Sequence, residues 1–332
     1  MPRVAVVGAG AAGLAAARRI SDSGVQVSVF DKARGVGGRL ATRRMGEARI
    51  DHGAQFFTVR SRTFDALTRL WVSRGVAYEW CRGFAGAADG HPRYAGHGGM
   101  TALAKDLAAG LDVSTSSRVT RIVSLGDGWL VDTAAGSFGP FDAVILNPPA
   151  PQSADLASEA GVDRHALEEL TALRYEPALA ALVALDGTPL SLPWPGGIKL
   201  GEGPVSWVAD NQAKGVSAVP ALTVHARGDW SASMWDRPDG EVLAIMLDAV
   251  EAYLGGITRR ELLGPDAAHG TAVALQRWRY ATPVVTHERR CLVLVDSSLP
   301  VIAAGDAFGE AKVEGAVLSG WAAADEALRR LV

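Results

Sequence analysis

Several things are scarce in this 332-residue chain, and each scarcity excludes a class of chemistry. It has two cysteines, Cys81 and Cys291, too few for a disulfide framework and arranged in no C-x-x-C pair. Seven histidines are scattered without the spacing of a metal site, so no metal is expected. Lysines number five (Lys32, Lys105, Lys199, Lys214 and Lys312), and the formal charge is −3, which leaves no basic footprint for nucleic acid. No run approaches the length of ~18 apolar residues that a spanning helix needs, so no membrane segment is expected. The first β-like run begins at Val4, which leaves no room for a signal peptide and points to a cytoplasmic enzyme. The length suits one large or two medium domains with a substantial core.

What is present begins with a phosphate-binding turn. Val4–Val7 is apolar and β-branched, and it runs into Gly8-Ala9-Gly10-Ala11-Ala12-Gly13, a complete G-x-G-x-x-G. An alanine-rich stretch from Leu14 to Ile20 reads as a helix, and Val25–Phe30 as a second strand ending in Asp31. In this strand–turn–helix–strand setting Gly8 makes the tight turn, Gly10 admits a pyrophosphate, and Gly13 lets the helix pack on the strand. The free N–H groups of Ala11 and Ala12 open the helix, and Asp31 stands where a carboxylate can accept from ribose. Lys32 and the turn Arg34-Gly35-Val36-Gly37-Gly38-Arg39 follow at once, with glycines that open the backbone and a guanidinium suited to phosphate.

The rest of the chain is read in order. Met45–Asp51 looks polar and turn-like; Asp51-His52-Gly53-Ala54-Gln55-Phe56-Phe57-Thr58 suits a segment passing along a flat ring. His52 is read as packed or solvated rather than catalytic, and Gln55 and Thr58 as groups able to bond a ligand. Ser61–Ser73 predicts a helix with Phe64, Leu67, Leu70 and Trp71 on one face. Trp80–Gly99 predicts an irregular or strand-like passage, and a helix follows to about Ala109. Val119–Leu125, Trp129–Thr133 and a weak run near Ser137 predict a small antiparallel meander, turned at Gly126-Asp127-Gly128. Asp142–Leu146 reads as a buried parallel strand, halted at Asn147-Pro148-Pro149. Leu156–Leu173 and Asp239–Leu254 predict helices, the latter with Val242, Ile245, Met246, Ala249, Val250 and Tyr253 inward. Ala178–Leu185, Val205–Ala209, Ala221–Ala226 and Thr271–Arg279 predict strands of a substrate-binding sheet. Two Arg–aromatic clusters, His225–Ser231 and Arg277–Pro283, suit an anionic planar ligand or ordinary packing. The chain closes on Leu299–Asp306, then Val313-Glu314-Gly315-Ala316, which opens a final helix whose positive end favours an anion.

The G-x-G-x-x-G unit, the R-x-x-G-G-R turn, Gly98-Gly99-Met100-Thr101-Ala102-Leu103 and the closing Gly-Asp and E-G-A-x-x-S-G segments resemble the flavoprotein amine oxidase superfamily. Asp51–Thr58, Pro149-Ala150-Pro151-Gln152, His225-Ala226 with Trp230-Ser231, Arg277–Ala281 and Val313–Ala316 resemble the bacterial renalases within it, along nearly the whole chain. The resemblance implies an α/β fold with an α+β second domain. A Rossmann-like FAD-binding domain, with a parallel sheet and a small meander, joins a mixed-sheet substrate domain, as in amine oxidase and p-hydroxybenzoate hydroxylase-like flavoproteins. The expected boundaries are 1–70, 97–155 and 291–332 for the first domain and 71–96 and 156–290 for the second. By the same resemblance non-covalent FAD is held by Gly8, Gly10, Ala11, Ala12, Gly13, Asp31, Lys32, Gly37, Gly38, Arg39, Gln55, Phe56, Val119, Gly305, Asp306, Val313, Glu314, Gly315 and Ala316. The implied substrate pocket comprises Phe56, Phe57, Thr58, Val59, Arg60, Ala178, Trp230, Tyr280 and Lys312. The chain departs from its relatives at Asn147, Ala178, Gln276 and Lys312.

The activity so implied is oxidation of 2- or 6-dihydro isomers of NAD(P)H to NAD(P)+, with dioxygen going to hydrogen peroxide. Such a substrate aromatises as it loses hydride and needs no strong protein base, in keeping with the lack of an evident acid/base pair. The alternative is an FAD-dependent oxidase of a small amine or amino acid, for which Lys199 is taken as the one candidate lysine of the substrate domain and is read more readily as an exposed strand-end residue. A non-catalytic flavin-binding module and a carotenoid-type desaturase fit less well.

Overall fold

The computed structural model describes residues 1–84, 89–158, 160–185, 190–263 and 272–331. They form two compact units: Met1–Gly38, Leu103–Tyr175 and Pro283–Val332 in the first, Arg39–Ala102 and Glu176–Thr282 in the second.

The first unit is built on a six-stranded sheet. Across it the strands run Leu292–Val295, Val301–Ala303, Ala143–Leu146, Arg3–Val7, Gln26–Phe30 and Asp112–Ser114. All neighbours are parallel except the outermost pair, Leu292–Val295 with Val301–Ala303. Arg3–Val7 is central and nearly all buried because both faces are covered, which is why it reads as a continuous apolar run. The fingerprint helix Ala11–Asp22 and the final helix Val313–Leu331 pack together, and Gly320 is the point of closest approach: a Cβ there would lie 2.1 Å from the Ala12 carbonyl oxygen. The predicted meander is present as Val119–Ser124, Trp129–Thr133 and Gly136–Phe141, and its Ile122, Trp129 and Val131 join the core with Val144 and Leu146.

The second unit holds a five-stranded sheet in the order Gly197–Lys199, Val205–Asp210, Ala221–Ala226, Arg174–Ala184 and Ala272–Val285. One face, with Leu179, Ala181, Val208, Leu222 and Val224, is buried against the helix Asp239–Asp248 through Val242, Met246 and Leu247. The other face, with Ala180, Leu182 and Ala221, packs on Ala48 and Ile50. Period-two alternation thus gives this sheet two distinct sides.

Several expectations shift. Met45–Asp51 is no simple turn: Thr42–Met45 and Ala48–Asp51 form an antiparallel hairpin. Residues 39–70 and 97–102, assigned to the first domain from sequence, lie in the second unit, where Ala48 and Ile50 pack on the sheet, and residues 156–175 and 283–290, assigned to the second domain, lie in the first unit. Leu156–Leu173 is two helices, Ala150–Ala157 and Arg164–Ala172, separated near Gly161, which adopts a φ of 66°. The helix expected over Asp239–Leu254 stops at Asp248, and Ile245 is 37% exposed rather than inward. On the helix Arg62–Ser73, Leu70 is 47% exposed while Thr68 is buried. The stripe there runs Phe64, Thr68, Trp71, a four-then-three spacing that polarity at Thr68 concealed. Thr271, the expected start of the last strand of the sheet, lies outside the described residues; the observed strand begins at Ala272.

Candidate functional site

In the first unit the fingerprint residues form a glycine-lined turn and helix start at the C-terminal end of the central strand. Gly8 has a φ of 101°, a conformation that disfavours any side chain. A Cβ on Gly13 would fall 2.0 Å from the Gly8 carbonyl oxygen, so only glycine lets the helix sit this close to the turn. Gly10 caps the helix without any side-chain hydrogen bond, which leaves first-turn N–H groups of Ala11 and Ala12 for an anion. The Asp31 carboxylate accepts from the Ala9 N–H at 2.6 Å and the Ala33 N–H at 2.7 Å, fixing it beside the turn. Gly37 donates its N–H to the Ala9 carbonyl at 2.8 Å, so the second glycine turn lies against the first. On the far side of the strand end, Asn147 donates to the Ala304 carbonyl at 3.1 Å, and the Gly305 N–H donates to Ser319 Oγ at 2.9 Å. A Cβ on Gly315 would lie 1.8 Å from the Glu310 carbonyl oxygen, so the final helix also starts with no room for a side chain. Two helix N-termini and two glycine turns at one end of a parallel sheet fit a pyrophosphate-linked dinucleotide.

Other residues assigned to cofactor by resemblance are placed as follows. Lys32 reaches Gln152 Oε1 at 3.0 Å, and burial with the Arg118 charge pulls its pKa down. Val119 opens the first meander strand, and Glu314 is buried at the start of the final helix. Lys312 pairs with Glu310 at 2.5 Å in an exposed position.

The second unit contains a polar knot that sequence reasoning missed. Lys214 Nζ lies 2.7 Å from Asp51 Oδ2, and both side chains are fully buried. Asp51 Oδ1 accepts from Thr42 Oγ1 at 2.6 Å and from the Met100 N–H at 2.9 Å. The Lys214 ammonium also lies 5.4 Å from the Trp80 ring centroid, and the Tyr78 hydroxyl donates to the Lys214 carbonyl. Desolvation lowers the Lys214 pKa and the Asp51 charge opposes that fall. Lys199, the lysine singled out from sequence, is exposed at a strand end.

Two successive carbonyls of the segment after the knot anchor side chains. The Asp51 carbonyl accepts from Gln55 Nε2 at 2.7 Å and from Thr223 Oγ1 at 2.8 Å. The His52 carbonyl accepts from Trp278 Nε1 at 2.9 Å. The His52 ring stacks on Trp278, with centroids 5.3 Å apart and planes 9° apart. Burial lowers the pKa of both His52 and His225 to about 4, so both are neutral near pH 7. Buried polar atoms with no protein partner concentrate here: His52 Nδ1, Gln55 Oε1, Trp207 Nε1 and His225 Nε2. Each such atom is costly unless a ligand or water completes it.

Of the predicted pocket residues, Phe56 joins Trp80, Phe84 and Trp207 in an aromatic cluster with centroid distances from 4.6 to 6.4 Å. Phe57 is buried among Phe64, Trp71 and Tyr94, so its ring packs the unit. Thr58 and Val59 are half-buried and Arg60 exposed. Ala178 lines a cavity of about 480 Å³ with Glu176, Ser206, Arg227, Asp229 and Thr282. Trp230 packs against the helix-covered core instead. The two Arg clusters are also largely committed. Arg227 grips Asp229 through Nε at 3.1 Å and Nη2 at 2.9 Å. Arg277 binds the Trp235 and Arg237 carbonyls and Asp239. Tyr280 is half-buried on the last strand of the sheet. No cluster of three metal-ligating side chains occurs among the described residues.

Comparison with known families agrees with this geometry. The family described as flavin containing amine oxidoreductase matches residues 61–328, and an NAD(P)-binding Rossmann-like domain matches residues 6–72. The chain belongs to the flavin-containing amine oxidoreductase family; it is a flavin-dependent oxidoreductase, and its cofactor is FAD. Renalase from Mus musculus is 22% identical over 340 residues, spanning 96% of each chain. A 1-hydroxycarotenoid 3,4-desaturase from Flavobacterium sp. is 44% identical, over 82 residues that make up 25% of this chain and 17% of that one. Among solved structures, cyclohexylamine oxidase from Brevibacterium oxydans superposes with a TM-score of 0.72 at 14% identity, covering 99% of each chain. Putrescine oxidase superposes with a TM-score of 0.67 at 17% identity, also over 99% of each chain. These structures share the fold. No described helix is long and apolar enough to cross a membrane.

Proposed function

We propose that this flavoenzyme is a renalase-like oxidase, which converts 2- or 6-dihydro isomers of NAD(P)H to NAD(P)+ and dioxygen to hydrogen peroxide. The observation that carries this reading is the character of the second unit's polar side chains. His52 and His225 are held neutral by burial, Lys214 is committed to Asp51, and Lys199 is exposed. This set supplies orientation and an aromatic surface rather than a strong base. A dihydropyridine asks for no more, because its aromatisation drives the loss of hydride. When bound, FAD supplies the hydride acceptor at N5 and passes the electrons to dioxygen.

The protein's part is to bind and align. Gly8, Gly10, Ala11, Ala12 and Gly13 receive the pyrophosphate on the helix N-terminus, with Asp31 toward ribose. Arg39, whose Nη1 donates to the Ala281 carbonyl at 2.9 Å, supplies a guanidinium suited to phosphate. Gly305, Asp306, Gly315 and Ala316 serve the other half of the cofactor, the final helix favouring negative charge. Phe56, Thr58, Val59, Arg60, Ala178 and Tyr280 line the substrate pocket, and alignment at near-attack distance is the main catalytic contribution. The match to mouse renalase along nearly the full chain supports this reading, and the amine oxidase alternative lacks an available lysine among the described residues of the second unit.

The test is product analysis under air. Isomer-containing NADH and NADPH preparations should yield hydrogen peroxide and NAD(P)+ in equal amounts. Peroxide formed from small amines or amino acids, with none from the isomers, would replace this reading by the amine oxidase one.

A further inference from the structure

The loop Gly305–Gly309 leaves the strand Val301–Ala303 and leads toward the final helix. Its outer residues are glycines with φ of 153° and 87°, and Ala307 and Phe308 are buried. Asp306 is the one polar side chain the loop carries. The Gly305 N–H ties the start of the loop to Ser319 Oγ at 2.9 Å. The far end is tied by a single residue, His287. Its N–H donates to the Ala307 carbonyl at 2.7 Å, and its carbonyl accepts from the Gly309 N–H at 2.8 Å.

The His287 side chain is held in turn. Nδ1 accepts from the Arg289 N–H at 3.0 Å, so in the neutral ring that nitrogen carries no proton. The proton is on Nε2, which donates to Glu169 Oε2 at 2.7 Å. That bond holds the Glu169 carboxyl below the usual carboxylate range. Glu169 belongs to the helix Arg164–Ala172, which Ala166 and Leu170 anchor in the same core as Phe308. The His287 side chain is 12% exposed, and its ring lies 5.7 Å from that of Phe308. The other Glu169 oxygen faces His165 at 3.3 Å, a side chain that is 81% exposed. The loop is thus fixed to the core through the helix, Glu169 and His287 in series.

We propose that His287 and Glu169 are a positioning pair for the cofactor: by fixing the far end of the Gly305–Gly309 loop they hold it in place against FAD and set how slowly FAD leaves. This rests on the reading in which Gly305 and Asp306 serve the cofactor. Release of a bound dinucleotide requires local opening of the segments that hold it. A charge-assisted hydrogen bond behind such a segment opposes that opening without touching the ligand.

The test follows FAD release from the holoenzyme after dilution into flavin-free buffer, by flavin fluorescence, with visible circular dichroism reporting the bound isoalloxazine. His287→Leu and Glu169→Ala should each speed release about tenfold. The double variant should be no faster than either, as expected of two ends of one bond. His287→Gln, whose Nε2 can still donate to Glu169, should stay close to wild type. His287→Asn, which reaches only the Nδ1 position, should behave as His287→Leu does. His165→Ala should release FAD as wild type does. Ile122→Ala, at a fully buried position of the meander, should lower the Tm and leave the release rate unchanged, which separates lost stability from lost positioning. Thermal melts of each holoenzyme identify any variant that fails to fold.

Unchanged release in folded His287→Leu and Glu169→Ala overturns the pair, as does equal acceleration by Ile122→Ala. If Asp306→Ala speeds release while the pair variants do not, the pair fails and the assignment of Asp306 to the cofactor stands. If the pair variants speed release while Asp306→Ala does not, that assignment fails and the pair stands, acting through the loop backbone.

Discussion

Lys214 Nζ and Asp51 Oδ2 are 2.7 Å apart, sealed from solvent, and separated by 163 residues of chain. Through the Asp51 carbonyl the same residue orients Gln55 and Thr223, and the next carbonyl, of His52, orients Trp278. A buried ion pair of this kind adds little net stability over apolar packing, but removing one member strands a charge. Its contribution here is to fix the position of the segment that carries His52 and Gln55.

Lys214→Met should therefore cost about 3–5 kcal/mol of unfolding free energy by leaving Asp51 uncompensated. Adding Asp51→Asn to Lys214→Met should recover part of that loss, a non-additivity expected of contacting groups. Denaturant melts of the two variants and the wild type measure it. A cost for Lys214→Met within the ordinary surface range of about 0.5 kcal/mol would show that the pair holds nothing.

The cradle is tested by added methyl groups. Gly13→Ala puts a Cβ 2.0 Å from the Gly8 carbonyl oxygen, and Gly315→Ala puts one 1.8 Å from that of Glu310. Each should force the helix off its turn and lower the flavin-to-protein absorbance ratio of the purified protein several-fold, while Gly240→Ala, in open space on the helix Asp239–Asp248, should leave the ratio unchanged. Retention of full FAD content by Gly13→Ala would contradict the close packing described.

Stability should fall on mild acidification. His52 and His225 titrate near 6.5 when unfolded and at about 4 when folded, both lowered by burial. Between these values the unfolded chain binds more protons, so their contribution is complete above pH 6.5 and is lost as the pH falls toward 4. The Tm should drop across that window, and His52→Gln and His225→Gln should each flatten the drop. An unchanged slope in the double variant would place the acid sensitivity elsewhere.

The nucleotide cradle was legible because its determinants are local. Gly8, Gly10, Gly13 and Asp31 lie within one strand–turn–helix–strand unit, and each glycine answers to a neighbour close in sequence. The knot in the second unit was not legible, because nothing in the run Asp210-Asn211-Gln212-Ala213-Lys214-Gly215 indicates which distant residue the lysine meets. A lysine in a short loop between two apolar strands was the available signal, and Lys199, in the same domain, was read as its one candidate lysine instead. His52 was correctly read as packed, but its stacking on Trp278 depends on pairing across 226 residues. The Arg277 and Arg227 clusters suggested an anionic ligand; their partners, Asp239 and Asp229, use that charge within the protein. The helix Arg62–Ser73 shows the smaller error of the same kind, where Thr68 replaced Leu70 on the inner face because polarity was weighed over spacing.

The most direct test of the central claim is anaerobic stopped-flow mixing of the FAD-loaded enzyme with purified 2-dihydro- and 6-dihydro-NAD(P), following flavin absorbance near 450 nm. The account predicts bleaching by at least one isomer, with NAD(P)+ formed in proportion, and recovery of the absorbance on admission of air. Flavin that stays oxidised with both isomers, yet bleaches with an amine, would contradict it.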